Sequence, residues 1–341
     1  MPKVHRAPGI LRSTPGKALV LFWFALFNSQ QSLDAQRNPD IRVDVDLVTV
    51  PCSVTDRAGA PVKGLKREDF ALHDNGQPRE ITDFWQESEL PLTIAFVADV
   101  SGSQAGFIKS HREAVAQFFK EVMNPADSAM LVEVARQAWL LSDLTGSSDA
   151  LRAAVEKIGT HEGKQSPLLG PPCRNTSFPH SCGGTALWHG VYYAAKQLKP
   201  VTGRKAIIVL SDGMDTGSDV SLTNVIEMAQ SAEVVVYSIR YANPMRFISL
   251  AATIAQAVSR GLYRLSSETG GLTFPNPGHK ISEVFSQIQS DLRNTYVLGF
   301  VPPNDARDRK FHKLDVLMLR PDLIVRARSG YWASRNETEY H

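Results

Sequence analysis

Leu92-Thr93-Ile94-Ala95-Phe96-Val97-Ala98-Asp99-Val100-Ser101-Gly102-Ser103 is the stretch on which the reading of the chain turns. From Leu92 to Ala98 it is an almost continuous apolar run of strand length. Such a run fits a strand buried on both faces, as in a parallel sheet. Beyond it, Phe107, Ile108, Val115, Phe118, Phe119 and Val122 fall on one face of a helix predicted over Gln104 to Met123. A carboxylate, two hydroxyls and a glycine therefore sit at a strand-to-helix turn. In open α/β sheets, ligands bind just outside the carboxyl ends of the strands.

Working outward, strand and helix patterns alternate. Ser128–Val134 and Ala138–Leu141 read as strands that pair with each other. Leu151–Ile158 reads as a short helix, and residues 161–182 as an irregular, proline-rich insertion. Ala186–Leu198, Leu222–Ala232, Phe247–Ser267 and His279–Leu292 have helical spacing. Lys205–Leu210 and Glu233–Ile239 read as buried strands, and Gly270–Phe274 as a turn into an edge strand. This alternation predicts an α/β fold with a doubly wound, mostly parallel sheet covered on both faces. The flanks look different. Ile41–Val50 alternates with period two, and Asp69–Asp74 and Glu80–Trp85 are further strand candidates. Tyr296–Val301, Phe311–Leu319 and Leu323–Arg328 follow on the far side. Each flank alone has too few strands to bury a face. The two are predicted to pair into one β-sandwich, with the α/β region inserted between them. Asp74-Asn75-Gly76 is a strong turn sequence, and His73 and Asp74 read as a surface pair.

Asp99-Val100-Ser101-Gly102-Ser103 resembles the metal-ion-dependent adhesion site of von Willebrand factor A domains. Gly183-Gly184-Thr185-Ala186-Leu187 is similar to the second metal loop of that family, and Leu210-Ser211-Asp212-Gly213 to the third. The resemblance covers about residues 90–290. It implies that Ser101, Ser103 and Thr185 touch a divalent cation directly, while Asp99 and Asp212 hold it partly through water. The ion implied is magnesium, with manganese or calcium as alternatives. One coordination position would stay open for an Asp or Glu carboxylate of a protein partner. The residue types agree, since hydroxyls and carboxylates are hard oxygen ligands suited to these ions and not to zinc. The competing reading is that Ser101 and Ser103 only cap the following helix. That leaves Thr185 and Asp212 without a role. The paired acidic residues that some integrin A domains carry after the first motif are absent, their places taken by residues such as Gln104 and Ala105. The arrangement of flanking β segments resembles secreted A-domain-related proteins of acidobacterial genomes. The resulting division is 1–35 signal peptide, 36–89 N-terminal β segment, 90–293 A domain and 294–334 C-terminal β segment.

Composition narrows the function classes. The 341 residues carry a net charge of +2 and are 43% hydrophobic, so a full core is available. No basic block suggests nucleic acid. Lys3, Arg6, Arg12 and Lys17 precede the apolar run Ala18–Phe27. That run fits the apolar core of a secretory signal but is too short to cross a bilayer of about 30 Å as a helix. The expected location is secreted, periplasmic or cell-envelope, with membrane contact only if the signal is retained as an anchor. Of the three cysteines, Cys173 and Cys182 are predicted to form a disulfide in an oxidising compartment. Cys52 is predicted to stay a buried thiol.

Enzyme motifs are missing. His161-Glu162 is not followed by a second metal histidine. Gly102-Ser103-Gln104-Ala105-Gly106 has its serine one place too early for a nucleophile elbow, and there is no Walker loop. His189 lies near Thr185 but reads as a packed or solvated helix residue. Asp215 and Asp219 read as solvated loop carboxylates beside Asp212. The expected function is an exported, metal-dependent protein-binding module without catalysis. The alternative is a structural or assembly component of a cell-envelope complex that uses the domain as a docking scaffold. A metal-dependent hydrolase is a third reading and lacks a visible general base. Intact-mass measurement of the exported protein should show loss of about 30 N-terminal residues; retention of residues 1–36 would mean an anchor instead.

Overall fold

The computed structural model describes residues 47–87, 90–160, 184–242, 250–303 and 310–333. The apolar run Ala18–Phe27, positions 41–46 and the Cys173 and Cys182 pair lie outside them. In chain order the strands and helices are β1 (Val48–Asp56), β2 (Phe70–Asp74), β3 (Gln77–Arg79), β4 (Asp83–Glu87), β5 (Leu92–Asp99), α1 (Ile108–Glu121), β6 (Ser128–Val134), β7 (Ala138–Thr145) and α2 (Ser148–Glu156). They continue with α3 (Leu187–Leu198), β8 (Arg204–Ser211), α4 (Leu222–Ser231), β9 (Val234–Arg240), α5 (Leu250–Thr269), β10 (Thr273–Phe274) and α6 (Ile281–Arg293). The chain then forms β11 (Thr295–Phe300), β12 (Phe311–Met318), β13 (Leu323–Ala327) and β14 (Gly330–Trp332).

The central sheet has the order β10-β9-β8-β5-β6-β7. All its pairings are parallel except that of β6 with β7. Every residue of β5 is buried. Its side chains alternate between two cores, as strand geometry requires. Ile94, Phe96 and Ala98 pack with Val115 and Phe118 of α1 and with Phe285 and Ile288 of α6. Ala95 and Val97 face the other way, among Val191 and Ala194 of α3, Val225 and Ala229 of α4, and Leu262 and Leu265 of α5. The expected doubly wound α/β sheet with helices on both faces is thus the observed one. Close approach of α3 depends on Gly190, where an added Cβ would come within 2.3 Å of Val134 Cγ1.

The flanks form two antiparallel four-stranded sheets, β13-β1-β11-β4 and β14-β12-β2-β3. Each contains strands from both ends of the chain. Val48 pairs with Phe300, and Cys52 with both Tyr296 and Ala327. Val50, Cys52, Val54, Phe70, Leu72, Tyr296, Leu298 and Phe300 make the core between them. Phe70, Phe84 and Tyr296 cluster there with ring centroids 5.6–5.8 Å apart. Cys52 is a free, buried thiol whose pKa burial pushes up to about 12. The Asn75-Gly76 turn has both residues at positive φ, 50° and 77°, which suits a two-residue hairpin between β2 and β3.

Asp74 corrects the sequence reading. It is fully buried and not part of a surface pair. Its carboxylate lies 3.5 Å from Arg79 Nε and 3.4 Å from His312 Nδ1, and accepts from the Tyr331 hydroxyl at 3.4 Å. Burial follows because β12 and β14, from the far end of the chain, cover it.

The sandwich is fastened to the central sheet by charge-assisted contacts. Arg326 of β13 donates to the buried Asp291 of α6 at 2.7 Å. The Arg328 guanidinium donates to the Gln230 carbonyl at 3.1 Å and the Thr49 carbonyl at 2.5 Å. Burial raises the Asp291 carboxyl, and Arg326 works against that rise. Arg326→Met should therefore strand a buried carboxylate and lower stability by about 3 kcal/mol in urea unfolding. Arg320→Met, at a half-exposed pair 3.1 Å from Asp322, should leave the midpoint unchanged; equal midpoints for the two variants would refute the assignment.

Candidate metal centre

The site is built where two parallel strands end side by side. Ala98 of β5 pairs with Leu210 of β8, so Asp99 and Ser211 leave the sheet as neighbours. Asp99 is fully buried. One carboxylate oxygen accepts from the Ser101 backbone N–H at 2.9 Å, and the other from the Ser211 hydroxyl at 2.6 Å. Ser211 in turn accepts from the Gly213 N–H at 2.9 Å, which shapes the loop that carries Asp212. Asp212 is half-buried and takes the Met214 N–H at 2.9 Å. Burial pushes the Asp99 carboxyl up to about 6; hydrogen bonds from Ser211 and Ser101 oppose the rise, and the nearby charge of Asp212 adds to it.

The hydroxyls of Ser101 and Ser103 lie 3.3 Å apart. Neither is spent on a helix. Ser101 precedes the 3-10 turn Gly102–Phe107 without a side-chain cap bond, and α1 also starts without one. The helix-capping reading of these serines therefore fails. Thr185 sits on a loop tied to both neighbours. The Ala186 N–H donates to the Ala135 carbonyl at 2.7 Å, beyond the end of β6. The Thr185 carbonyl accepts from the N–H groups of Thr216 and Gly217 at 3.1 and 3.0 Å. The Thr185 N–H donates to the Thr216 hydroxyl at 3.2 Å. The Thr185 hydroxyl itself has no hydrogen-bond partner among the described residues.

Asp215 differs from its solvated-loop expectation, while Asp219 is exposed as expected. The Asp215 carboxylate accepts from the Trp188 N–H at 3.0 Å and the Ser218 hydroxyl at 2.6 Å. It thereby satisfies the first turn of α3, which begins with no side-chain cap of its own. Beneath the first loop, Gln104 is fully buried and donates to the Tyr241 carbonyl at 3.0 Å, leaving its Oε1 without a partner among the described residues. His111 stacks edge-on against Tyr241 at 4.6 Å, and burial pulls its pKa down to about 4, so it is neutral. Both side chains point inward and neither offers a second metal site.

The donor set fits a divalent cation. No group of three or more His, Cys, Asp or Glu converges among the described residues; the candidate set is two carboxylates and three hydroxyls. Neither Asp99 nor Asp212 has a Lys, Arg or His ion-pair partner among the described residues. A buried carboxylate beside a second one, without counter-charge, is the imbalance that a cation corrects. Asp99 is gripped through both oxygens by protein donors, which suits holding water against an ion better than gripping the ion directly. Ser211, Asp215 and Thr216 are the supporting residues to which the sequence reading gave no such part. The only signal for Ser211 was its place directly before Asp212, level with Asp99 on the next strand.

No protein-family model matches the chain, and no curated protein matches it. Several solved structures are similar. One is the conserved hypothetical protein BatB from Bacteroides thetaiotaomicron, at 14% identity and a TM-score of 0.43, over 59% of this chain and 98% of that one. Another is the vWF domain of the type V pili tip protein Mfa5 from Porphyromonas gingivalis, at 12% identity and a TM-score of 0.42, over 60% of this chain and 96% of that one. A third is proximal thread matrix protein 1 from the mussel byssus with a zinc-occupied MIDAS motif, at 16% identity and a TM-score of 0.43, over 63% of this chain and 48% of that one. At these scores none of the three bears on what this chain does.

A raised carboxyl pKa means that the native state without metal holds its proton more tightly than the unfolded chain. The resulting penalty is absent below the unfolded value and complete above about pH 6, where it reaches about 3 kcal/mol. His111, with its lowered pKa, acts in the opposite sense over much of the same range. The difference between wild type and Asp99→Asn isolates the carboxylate. In chelator, Asp99→Asn should melt above wild type at about pH 7 and level with it at about pH 4. Added magnesium should then raise the melting temperature of wild type alone.

Proposed function

We propose that the protein is an exported, metal-dependent binding module that captures an acidic side chain of a protein partner. The observation that carries this reading is Asp99, buried without counter-charge next to Asp212 and beside the hydroxyls of Ser101 and Ser103. Ser101, Ser103 and Thr185 would hold the ion, and Asp99 and Asp212 would orient the waters around it. Magnesium, with manganese or calcium as alternatives, would supply one open coordination position for an outside carboxylate. The chain's own part is to fix three loops. Ser211 joins the third loop to the first, and the Thr216 and Gly217 N–H groups join the third to the second.

A non-catalytic role is favoured by the placement of the nearest imidazoles. His111 is buried and neutral, and His189 is buried on α3. Neither is offered to a substrate as a base. An envelope or extracellular location is favoured by the basic residues ahead of a short apolar run. No helix of the described residues is long and apolar enough to cross a membrane. The alternative, a structural or assembly component of an envelope complex that docks through another face, predicts capture insensitive to metal.

The test is partner capture from the secreted fraction in magnesium and again in chelator. Thr185→Ala should cut magnesium-dependent capture by about tenfold, or about 1.4 kcal/mol, with little change in melting temperature. Capture that survives both chelator and Thr185→Ala would favour the scaffold reading.

A further inference from the structure

A second polar feature lies at the opposite end of the central sheet from Asp99. There the starts of β8 and β9 and the end of α6 meet β1, β4 and β11 of the sandwich. They line a partly open cavity of about 230 Å³. Its walls include Trp85, Leu90, Val235 and Leu292, so most of the lining is apolar. Lys205 lines it and has only 8% of its surface exposed. It has no hydrogen bond or ion pair among the described residues.

A lysine whose side chain is largely buried and whose ammonium is unpaired is costly unless something anionic meets it. The neighbouring charges do not. Glu233 lines the same cavity, but it is exposed and its carboxylate is engaged by the Thr49 hydroxyl at 2.5 Å. Its influence reaches Lys205 through space only. Arg204 turns its guanidinium away, to the carbonyls of Leu292 and Leu90. Burial accordingly pulls the Lys205 ammonium below its usual range. Pockets that take small ligands combine apolar walls with one or a few convergent polar groups, as this one does.

We propose that this cavity binds a small carboxylate with a short apolar body, its anionic end on Lys205 and its hydrocarbon against Trp85, Leu90, Val235 and Leu292. Such a ligand would bridge the central sheet and the sandwich, because Lys205 and Val235 belong to one and Trp85 to the other. It is independent of the metal centre.

The test uses the full chain in EDTA, so that no carboxylate can bind through a metal ion. Hexanoate is the probe and hexan-1-ol its uncharged control, followed by calorimetry and tryptophan fluorescence. Hexanoate should bind saturably and at least about tenfold more tightly than hexan-1-ol. Lys205→Met keeps the length of the side chain and removes its charge. It should weaken hexanoate by about tenfold and leave hexan-1-ol unchanged. Trp85→Ala, at a partly exposed wall, should weaken both and keeps the comparison decisive if Lys205→Met does not fold. Equal affinity for acid and alcohol would mean a cleft for neutral amphiphiles and would overturn the proposal. So would the absence of saturable binding, or a natively folded Lys205→Met protein with undiminished hexanoate affinity.

Discussion

The Asp99 carboxylate, held between the Ser101 N–H and the Ser211 hydroxyl, is the contact on which the candidate site depends. Two parallel strands end side by side, and their end residues bind one another instead of turning to solvent. Burying this charge disfavours the ionised form, and the two donors recover only part of the cost. The first and third loops are thereby locked into one geometry before any ligand arrives. The second loop is added by backbone bonds to Thr216 and Gly217. A small set of hydrogen bonds thus sets the spacing of hydroxyls that come from distant parts of the chain.

At the other end of the sheet the same economy appears with opposite charge. Guanidinium groups meet carbonyls left over at the ends of helices. Arg204 takes the Leu292 carbonyl at the end of α6 and Arg328 takes that of Gln230 at the end of α4; back at the Asp99 end, Arg112 takes that of Ile158 beyond α2. The last carbonyls of a helix have no partner within it and carry its negative dipole end, so a cation there is doubly favoured. One of these arginines, Arg328, also fastens the sandwich to the α/β region, through the Thr49 carbonyl. Charge complementarity at a helix end thus takes part in joining the layers.

Much of this could be read from the sequence. Leu92–Ala98 announced the buried strand because both of its faces are covered, and the first and third candidate metal loops stood out because each follows such a strand. Other features could not be read, for a common reason. Asp74 looked like a surface residue because β2 is short and its covering strands lie some 240 positions away. Asp215 looked solvated because its partners, Trp188 and Ser218, are set by how α3 docks against the third loop. The roles of Ser211 and Thr216 rest on side-chain hydrogen bonds between loops, which no periodicity records. The short strands β3 and β14 were missed because three residues cannot display a pattern.

The weaving of the flanks has a consequence for how the chain comes into being. Among the described residues β1 lies between β11 and β13 in its sheet. During synthesis it emerges first and waits until residues beyond 295 exist. Val50, Cys52 and Val54 are meanwhile an apolar strand with both edges open. Such long-range pairing is slow to form, and the intermediate that precedes it is prone to associate. The central α/β region needs no strand from either flank to complete its own sheet. Once folded it becomes the clasp that brings the two ends of the chain together, shrinking the loop that β1 must close. The region that carries the candidate metal centre is, on this account, also the folding template for the sandwich.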